Sequence, residues 1–501
     1  MLQINHLTIT HLKDITTLID DLSLVVNDGD KLAIIGEEGT GKSTLIKALL
    51  DPNSLQSYAT MTGQIHSTFT QIGYLPQHLT NSQLAQSPAV FFYDDMDYTR
   101  FDFALFYQMA ERLSFDSQHL DNDQICLAQL SGGEKLKLQL LKLLAYDPDL
   151  LVLDEPSSDL DLDSLIWLER FIQQTDKTVI FISHDEALLS HTATAILQLE
   201  LVKKRSQART SYFQGNYEDY KSWRKNSFGK QMQLAQKERE EYAKKMARHH
   251  RIHQSVEHQL RNTKNDVAGR LLAKKMKNVL SQEKRYAKEA ENFHDIPQDM
   301  DAIHLFFSEV KPLPANKRLL FWEKVHLETG QTVDLKILGQ DKLVITGQNG
   351  IGKTRLLRKI RDDLRERPDL SLGYMPQHYE DLLDETKSAL DFLTEVAKTE
   401  KARSLLASLQ FTRQEILHSV SHLSGGQKAK LFLAKMVLAG NNVLILDEPT
   451  RHFSPTSQPL VRQLLVDFPG AIISVSHDRA FMAEVAQDHY KLASNQLHKQ
   501  D

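Results

Sequence analysis

The chain has 501 residues, 41% of them hydrophobic and 25% charged, and a formal net charge of −6, as expected for roughly two to four globular domains. A single cysteine, Cys126, excludes a disulfide framework and a cysteine-based zinc cluster. No segment approaches the roughly 20 apolar residues of a membrane helix, and the N-terminus lacks the pattern of a signal peptide, so we expect a cytoplasmic protein.

The first element with a chemical signature is an apolar strand, LAIIG at 32–36, that runs into GEEGTGKS at 36–43. This is the P-loop pattern, in which glycines let backbone N–H groups point at phosphates and a helix N-terminus adds partial positive charge. Lys42 is expected to contact the β- and γ-phosphates and Ser43 to hold Mg²⁺. The ATP-binding candidates of this loop are Gly36, Gly39, Gly41, Lys42, Ser43 and Thr44.

Four more motifs follow: GYLPQH at 73–78, LSGGEK at 130–135, LVLDEPS at 151–157 and FISHD at 181–185. LVLDEP predicts a buried parallel strand, and α/β folds place their chemistry at the carboxyl ends of such strands. There Asp154 suits Mg²⁺ coordination, and Glu155 suits orientation or deprotonation of the attacking water. Gln77, after a turn, is expected to approach the metal and the water.

The middle of the chain is basic. Residues 217–293 hold 19 Lys and Arg against 10 Asp and Glu. The stretch 221–258 contains no proline and one glycine, and it predicts a helical arm of about 40 residues and about 60 Å. A turn-prone stretch from Asn262 to Gly269 and a second helical run from Arg270 to about Phe293 complete a hairpin. Leu271 and Leu272 are expected to pack between its arms.

A solvated coiled coil is the simpler interpretation of this hairpin, because charged helix faces are usually exposed. Its charges are not mixed, however: residues 242–288 hold 13 basic and 3 acidic side chains. A cationic segment on an anionic body indicates a polyphosphate partner. The RNA-binding candidates are Arg261, Lys264, Arg270, Lys274, Lys275, Lys277, Lys284 and Arg285.

Every motif of the first half returns in the same order: GQNGIGKT at 347–354, GYMPQH at 373–378, LSGGQK at 423–428, LILDEPT at 444–450 and SVSHD at 474–478. In both copies the signature serine lies 24 residues before the glutamate, and the glutamate 29 before the histidine. The chain therefore contains a duplicated domain. The ATP-binding, metal-binding and catalytic candidates of the second copy are Gly347, Gly350, Gly352, Lys353, Thr354, Gln377, Asp447, Glu448 and His477.

A lone histidine is more often a surface or satisfied core residue than a functional one. His184 and His477 keep the same spacing from the glutamates, and each follows an apolar run, so we assign both to γ-phosphate contact. The catalytic candidates are therefore Glu155, Glu448, His184 and His477. The metal-binding candidates are Ser43, Gln77, Asp154, Thr354, Gln377 and Asp447.

The LSGG motifs make these two copies resemble the ATP-binding cassette family, in which the signature of one cassette caps the nucleotide held by the other. The resemblance implies a first site built on Lys42 and closed by Ser424, Gly425 and Gly426. It implies a second site built on Lys353 and closed by Ser131, Gly132 and Gly133. Donors aimed at a triphosphate would stabilise this closed state until hydrolysis removes the γ-phosphate.

The sequence departs from the family pattern in two places. Glu38 in the first P-loop stands where the second has Asn349, and a carboxylate beside a triphosphate predicts a slower first site. The dimer-contact loop keeps Leu160 and Asp161 in the first copy, whereas the second copy has Phe453 and Ser454. We expect the two sites to be unequal and both to hydrolyse ATP.

Two cassettes joined by a charged helical linker resemble the ABC-F proteins over essentially the whole length. The fold implied is α/β: a first cassette at 1–205, a helical-hairpin linker at 206–302, a second cassette at 303–501, and no transmembrane segment. The resemblance implies a monomeric ATPase using ATP and Mg²⁺, which enters the ribosomal E site and directs its linker toward the P-site tRNA and the peptidyl-transferase centre.

EPTRHFSP at 448–455 looks most like the ABC-F branch that protects ribosomes against lincosamides, streptogramin A and pleuromutilins. A housekeeping ABC-F factor for stalled ribosomes is the alternative. An ATPase subunit that works with separate membrane subunits is a second alternative, but it would have no use for a basic hairpin.

Overall fold

The computed structural model describes residues 1–500 except 14, 95, 98–100, 114, 116, 121–123, 203–206, 263–265, 292–309, 378–381, 385, 410 and 495. Its two compact units are Met1–Tyr217 together with Met300–Asp501, and Glu218–Asp299. The domain boundaries predicted at 205/206 and 302/303 lie outside the described residues. None of the described helices is long and apolar enough to cross a membrane.

The first cassette contains the predicted α/β arrangement. Its elements, within the described residues, are strands β1 Leu2–His11, β2 Thr17–Val26, β3 Lys31–Ile35, β4 Ala59–Ser67, β5 Ile72–Leu75, β6 Leu150–Asp154, β7 Thr178–Ile182, β8 Ala195–Val202 and β9 Gln207–Gln214, with helices α1 Lys42–Leu50, α2 Asn81–Leu84, α3 Pro88–Tyr93, α4 Phe103–Arg112, α5 Gly132–Leu144, α6 Leu162–Gln174 and α7 Glu186–Thr192. Strand β9 pairs with β8. The first sheet therefore includes residues that the sequence assigned to the linker.

The linker unit consists of two helices, α8 Tyr217–Asn262 and α9 Asp266–Glu291. Both are longer toward the turn than predicted, since α8 continues past His258 and α9 begins before Arg270. At 1.5 Å per residue, α8 is about 70 Å long. Leu271 is 66% exposed, so its predicted packing between the arms is wrong.

The second cassette repeats the first. Its elements, within the described residues, are strands β10 Arg318–His326, β11 Thr332–Leu338, β12 Lys342–Thr346, β13 Leu372–Met375, β14 Val443–Asp447, β15 Ala471–Val475, β16 Asp488–Leu492 and β17 Leu497–Gln500, with helices α10 Lys353–Arg365, α11 Ala389–Thr394, α12 Thr399–Ser408, α13 Arg413–Leu417, α14 Gly425–Leu438, α15 Gln458–Val466 and α16 Arg479–Val485.

The two main sheets have equivalent strand orders, β5-β6-β7-β3-β8-β9 and β13-β14-β15-β12-β16-β17. In each sheet five strands are parallel and the last is antiparallel. Strands β6 and β14 are buried at every residue, as near-continuous apolar runs require when helices cover both faces of a sheet. The shared order confirms the predicted tandem α/β fold and brings the carboxyl ends of equivalent strands to equivalent edges.

Candidate nucleotide sites

Both P-loops have the backbone that phosphate binding needs. Gly41 and Gly352 precede helices α1 and α10 with φ angles of 94° and 104°, a region that favours glycine. The remaining ATP-binding glycines also have positive φ, and these are Gly36, Gly39, Gly347 and Gly350. A side chain at Gly36 would collide with the carbonyl oxygen of Leu199. Glycines with such angles are what a P-loop needs to turn its N–H groups toward phosphates.

The P-loop lysines are buried and held by their own loops. Lys42 Nζ donates to the carbonyl oxygens of Gly36 at 2.8 Å and Glu37 at 3.0 Å. Lys353 Nζ donates to those of Gly347 at 2.7 Å and Gln348 at 2.9 Å. Burial lowers the pKa of both lysines, although nearby carboxylates oppose the shift. Thr44 is half-buried in the first turn of α1, and Ser43 is exposed.

The carboxylates that end strands β6 and β14 fit a hard cation. Asp154 is buried, and its Oδ1 has no hydrogen-bond partner among the described residues. Burial and the charge of Glu155 raise the pKa of Asp154 to about 6. The Thr354 hydroxyl donates to Asp447 Oδ2 at 2.8 Å. Hydroxyl and carboxylate oxygens of this kind are the ligands that Mg²⁺ prefers, so the residues present fit the metal.

Both candidate catalytic glutamates adopt a strained backbone. Glu155 and Glu448 have φ angles of 49° and 52°, in the left-handed region that residues other than glycine rarely occupy. Their N–H groups donate to the neighbouring strand, at Ile182 O and Val475 O. Strain of this kind costs about 1–3 kcal/mol and persists where the surrounding structure fixes it, often at functional sites. The sequence carries no signal for it.

The two glutamates differ in charge state. Burial favours a high pKa for Glu155, but His184 and Lys42 outweigh it and hold this pKa at about 2. Burial and the neighbouring Asp447 raise the pKa of Glu448 to about 7. At neutral pH the first carboxyl is therefore ionised, whereas the second lies near its midpoint.

The two histidines have different surroundings. His184 Nε2 lies 3.5 Å from Glu155 Oε1, and its Nδ1 lies 3.2 Å from the carbonyl oxygen of Phe453 in the second cassette. Because a carbonyl only accepts, that hydrogen bond requires a proton on Nδ1. His477 Nε2 lies 3.9 Å from Glu448 Oε1. Neither ring nitrogen of His477 has a hydrogen-bond partner in the described part of the chain, and burial and Lys353 lower its pKa to about 4.

The glutamines are placed unequally. Gln77 Nε2 donates to Glu155 Oε2 at 2.7 Å, so it holds the carboxylate beside the expected water position. Both Gln77 and Gln377 line a cavity of about 870 Å³ between the cassettes. The same cavity is lined by the catalytic groups of the second site and by Glu155 and His184 of the first.

The second signature faces the first P-loop. The backbone N–H of Gly425, the first residue of α14, donates to Glu38 Oε2. His452 Nδ1 lies 3.9 Å from Glu38 Oε1, and Lys430 Nζ lies 3.4 Å from Glu37 Oε1. Burial opposes the ionisation of Glu38, but His452 and the Gly425 N–H lower its pKa. Ser424 caps α14 through Gln427 N at 3.3 Å.

The first signature approaches the second P-loop through its dimer-contact loop. Gly132 packs closely against Asp159, whose carbonyl oxygen accepts from Asn349 Nδ2 at 2.7 Å. Arg451 NH2 lies 2.8 Å from Asp159 Oδ1. Asp161, in the same loop, accepts from the backbone N–H of Asn349.

The remaining candidates lie in these two loops and helices. Ser131 caps α5 through Glu134 N, and Gly133 is buried in the same turn. Leu160 is buried in the first dimer-contact loop, and Phe453 and Ser454 are buried in the second. Gly426 packs near the His452 carbonyl.

Comparison with known proteins identifies this arrangement. The ABC transporter family model matches residues 19–158 and 331–451, more than half of the chain. The chain belongs to the ABC transporter family. The cassettes are thus ABC cassettes, and the protein is an ATPase.

Several relatives align over nearly the whole chain. The ribosome protection protein VmlR of Bacillus subtilis is 30% identical, with 97% of this chain and 85% of VmlR covered. The putative ATP-binding protein YdiF of the same species is 28% identical, with 99% and 80% covered. ABC transporter F family member 2 of Arabidopsis thaliana is 26% identical, with 94% and 73% covered. Relatives of ABC-F type therefore match both cassettes and the linker.

A solved structure shares the fold. It is the complex of archaeal ribosomal stalk protein aP1 and archaeal ribosome recycling factor aABCE1, with a TM-score of 0.60 and 16% identity, covering 99% of this chain and 89% of that chain.

The chemistry of the ABC cassettes follows from their side chains. We propose that the P-loop N–H groups and Lys42 or Lys353 bind phosphate oxygens, and that an ionised Glu155 accepts a hydrogen bond from the attacking water. Ser43, Gln77 and Asp154 would hold Mg²⁺ in the first site, and Thr354, Gln377 and Asp447 in the second. When bound, Mg²⁺ supplies charge neutralisation on the transferred phosphoryl group.

Sequence reasoning missed several residues at the cassette boundary. Lys430 and Gln458 lie outside the family motifs, and His452 lies within EPTRHFSP but was given no role. Gln458 is buried and donates to the His184 carbonyl oxygen at 2.8 Å. A glutamine in the first turn of an amphipathic helix gives no indication of this contact. Arg462 and Arg479 were missed as well, although a comparison of the two copies could have found them.

Proposed function

We propose that this protein is an ABC-F ATPase that binds the ribosome, enters the E site, and uses its linker to act on P-site tRNA and the peptidyl-transferase centre. We further propose that it acts as a monomer and protects ribosomes from antibiotics. In this proposal the linker follows strand β9, which belongs to the sheet of the first cassette, and joins it to the second cassette.

The observation that carries the proposal is the exposed basic surface of the linker. Seven of the eight RNA-binding candidates lie on α8 and α9 with exposed side chains: Arg261, Arg270, Lys274, Lys275, Lys277, Lys284 and Arg285. Lys264 lies outside the described residues. Exposed cations without a matching number of acids favour binding to nucleic acid phosphates. The exposed Leu271 beside them is available to contact a base or a nonpolar ligand.

The name of VmlR supports the protection branch, because that protein is a ribosome protection protein and aligns over 97% of this chain. The alignment with ABC transporter F family members supports the broader ABC-F proposal equally well. A housekeeping role on stalled ribosomes therefore remains the alternative, and a resistance profile distinguishes the two.

A sedimentation experiment tests ribosome binding. The double variant Glu155→Gln/Glu448→Gln should bind ATP without hydrolysing it and should therefore accumulate in the closed state. We expect it to pellet with ribosomes through a sucrose cushion when ATP is present and to stay in the supernatant with ADP. Sedimentation with membranes, or no ATP-dependent pelleting, would contradict the proposal.

Expression in an antibiotic-susceptible host tests whether the protein protects ribosomes from antibiotics. Ribosomal protection predicts higher minimum inhibitory concentrations for lincosamides, streptogramin A or pleuromutilins. The same assay with Lys42→Ala/Lys353→Ala, which should not bind ATP, is the control. Ribosome binding without any change in these concentrations would favour the housekeeping role.

A further inference from the structure

Two ion pairs join the cassettes away from the phosphate-binding loops. Arg462 on α15 donates from its NH2 to Glu186 Oε2 on α7, at 2.9 Å. Arg479, the first residue of α16, pairs with Glu169 on α6, with 3.2 Å between NH1 and Oε2. The side chains of Arg462, Glu186 and Glu169 are only 3, 9 and 7% exposed. These pairs are therefore largely removed from water.

The four residues occupy only two positions of the repeat. Ser131 and Ser424, Glu155 and Glu448, and His184 and His477 are each 293 positions apart. With the same separation, Glu169 corresponds to Arg462 and Glu186 corresponds to Arg479. The first cassette thus carries glutamate at both positions, and the second carries arginine at both. These two positions therefore carry opposite charge in the two copies.

A third position follows the same inversion. His191 Nδ1 lies 3.0 Å from Glu169 Oε2, and Glu484 Oε2 lies 2.9 Å from Arg462 Nε. His191 and Glu484 also correspond across the 293-residue separation. His191 therefore contacts Glu169 within the first cassette, and Glu484 contacts Arg462 within the second. The glutamate has a histidine as its neighbour, and the arginine has an acidic side chain.

Local structure does not account for arginine at position 479. A first helical turn favours acidic side chains, because the N-terminus of a helix carries partial positive charge. Glu186 meets that preference at the start of α7, whereas Arg479 opposes it at the start of α16. An arginine without an ion-pair partner would not be stabilised at the N-terminus of α16. Its contact with Glu169 in the other cassette provides the compensating attraction.

The alternative pairings would place like charges together. If two first cassettes from different chains met through the same faces, glutamate would face glutamate at both contacts. Two second cassettes would place arginine against arginine. Like charges juxtaposed in a poorly hydrated interface cost several kcal/mol, and repulsion of this kind is a common source of pairing specificity.

We propose that the charge-swapped set Glu169, Glu186, Arg462 and Arg479 selects the first cassette as the partner of the second and rejects pairing between like cassettes of two chains. Specific pairing matters because each ATP site is built from two different cassettes. The inference does not depend on the ribosome, since it concerns only how the ABC cassettes recognise each other.

Charge-reversal variants test the proposal in the Glu155→Gln/Glu448→Gln background, where closure is measured as retained ATP. The acidic variant R462E/R479E and the basic variant E169R/E186R should each lose ATP retention by about a hundredfold. The variant with all four substitutions should regain it. When the acidic and basic variants are mixed with ATP, sedimentation velocity should show a two-chain species that neither variant forms alone.

Each other outcome counts against the proposal. Undiminished ATP retention in either reversed variant would overturn it, as would a fully swapped variant that has a native circular dichroism spectrum but retains no ATP. If the double reversals fail to fold, the more exposed pair supplies the test through Arg479→Glu with and without Glu169→Arg. Absence of rescue in that folded cycle would overturn the proposal.

Discussion

The Glu38 carboxylate lies at the N-terminus of α14, the helix of the second signature, where an anion would bind. Its carboxylate accepts from the N–H of Gly425, and a helix N-terminus is where phosphate oxygens commonly bind. The equivalent Asn349 is neutral and contacts Asp159 instead. A triphosphate in the first site must therefore compete with a side chain of the P-loop itself, which gives a structural reason to expect unequal sites.

Replacing Glu38 by Asn should raise the ATP affinity of the first site by about tenfold, because it removes a charged hydrogen-bond competitor. The measurement is ATP titration in a Lys353→Ala background, in which the second site is disabled. The reverse change, Asn349→Glu with Lys42→Ala, is the matched control and should weaken the second site. Equal affinity before and after both changes would show that Glu38 does not compete with nucleotide.

We expect the carboxyl groups of Glu155 and Glu448 to titrate at different pH values in the nucleotide-free protein. The pKa of Glu448, raised to about 7, means that the folded state favours its neutral form. Its contribution to stability is complete below its unfolded pKa and is lost as pH rises through about 7. The lowered pKa of Glu155, about 2, contributes stability above its unfolded value, and this is lost only in strong acid.

Infrared difference spectra between the nucleotide-free protein and Glu448→Gln should therefore show a protonated carboxyl band at pH 6 that disappears by pH 8. The same comparison with Glu155→Gln should show no band from Glu155 at either pH, and a band at pH 6 would belong to Asp154, whose pKa of about 6 is raised in part by the charge of Glu155. A Glu448 carboxyl that is already ionised at pH 6 would contradict the proposed effect of its burial.

At the scale of elements, the linker helices depend on a buried histidine. His249 on α8 donates from Nε2 to the carbonyl oxygen of Val279 on α9 at 2.9 Å, and its ring contacts Tyr286 edge-on. The side chain is only 6% exposed. A polar tie of this kind between two helices helps to fix their register.

His249→Leu keeps the volume but removes the donor, and it should destabilise the hairpin by about 1 kcal/mol. Faster amide hydrogen exchange in α9 near Val279 would report this destabilisation. The neighbouring His250 is exposed, so His250→Leu is the control and should leave exchange in α9 unchanged. Equal exchange in both variants would mean that the hydrogen bond to Val279 contributes little.

The sequence predicted the type of nearly every functional element, because P-loops and strand-end carboxylates are local patterns. It did not predict where the linker turn begins and ends. Asn262 and Gly269 suggested a long interruption, but α8 includes Asn262 and α9 begins at Asp266, since local preferences against helix are weak. Strand β9 was assigned to the linker because its own residues give no indication that it pairs with β8.

At the scale of the whole molecule, charge is divided between the linker and the remainder of the chain. The region 217–293 is basic while the full chain carries −6. Reversing Lys274, Lys275 and Lys277 to glutamate should weaken ATP-dependent ribosome binding and leave basal ATPase activity unchanged. The slope of log affinity against log salt should also fall by about 0.7–0.9 for each phosphate that the variant no longer neutralises.

The same reversal at Lys225, Lys230 and Lys237 is a matched control, because it changes net charge equally on exposed sites of α8 farther from the turn. Equal weakening of ribosome binding in the two triple variants would indicate a general charge effect. Selective weakening in the first would support binding near the turn of the hairpin.

The individual contacts between the cassettes could not be predicted from the sequence. The signature pattern indicated which motifs should face each other, but not that Glu38 would contact Gly425 or that His184 would contact Phe453. Such contacts depend on side-chain direction across the interface between the two cassettes. The charge inversion at Glu169 and Arg462 was present in the sequence, yet it has meaning only once the two positions are known to lie at that interface.

The left-handed backbone at Glu155 and Glu448 has an implication for protein engineering. Glycine would adopt these dihedral angles without strain, and at position 448 it would also remove a carboxyl whose ionisation is opposed by burial, so Glu448→Gly should raise thermal stability while abolishing catalysis at that site. A directed-evolution campaign that selects only for heat resistance would therefore enrich inactive clones at this codon, and a hydrolysis screen must accompany it.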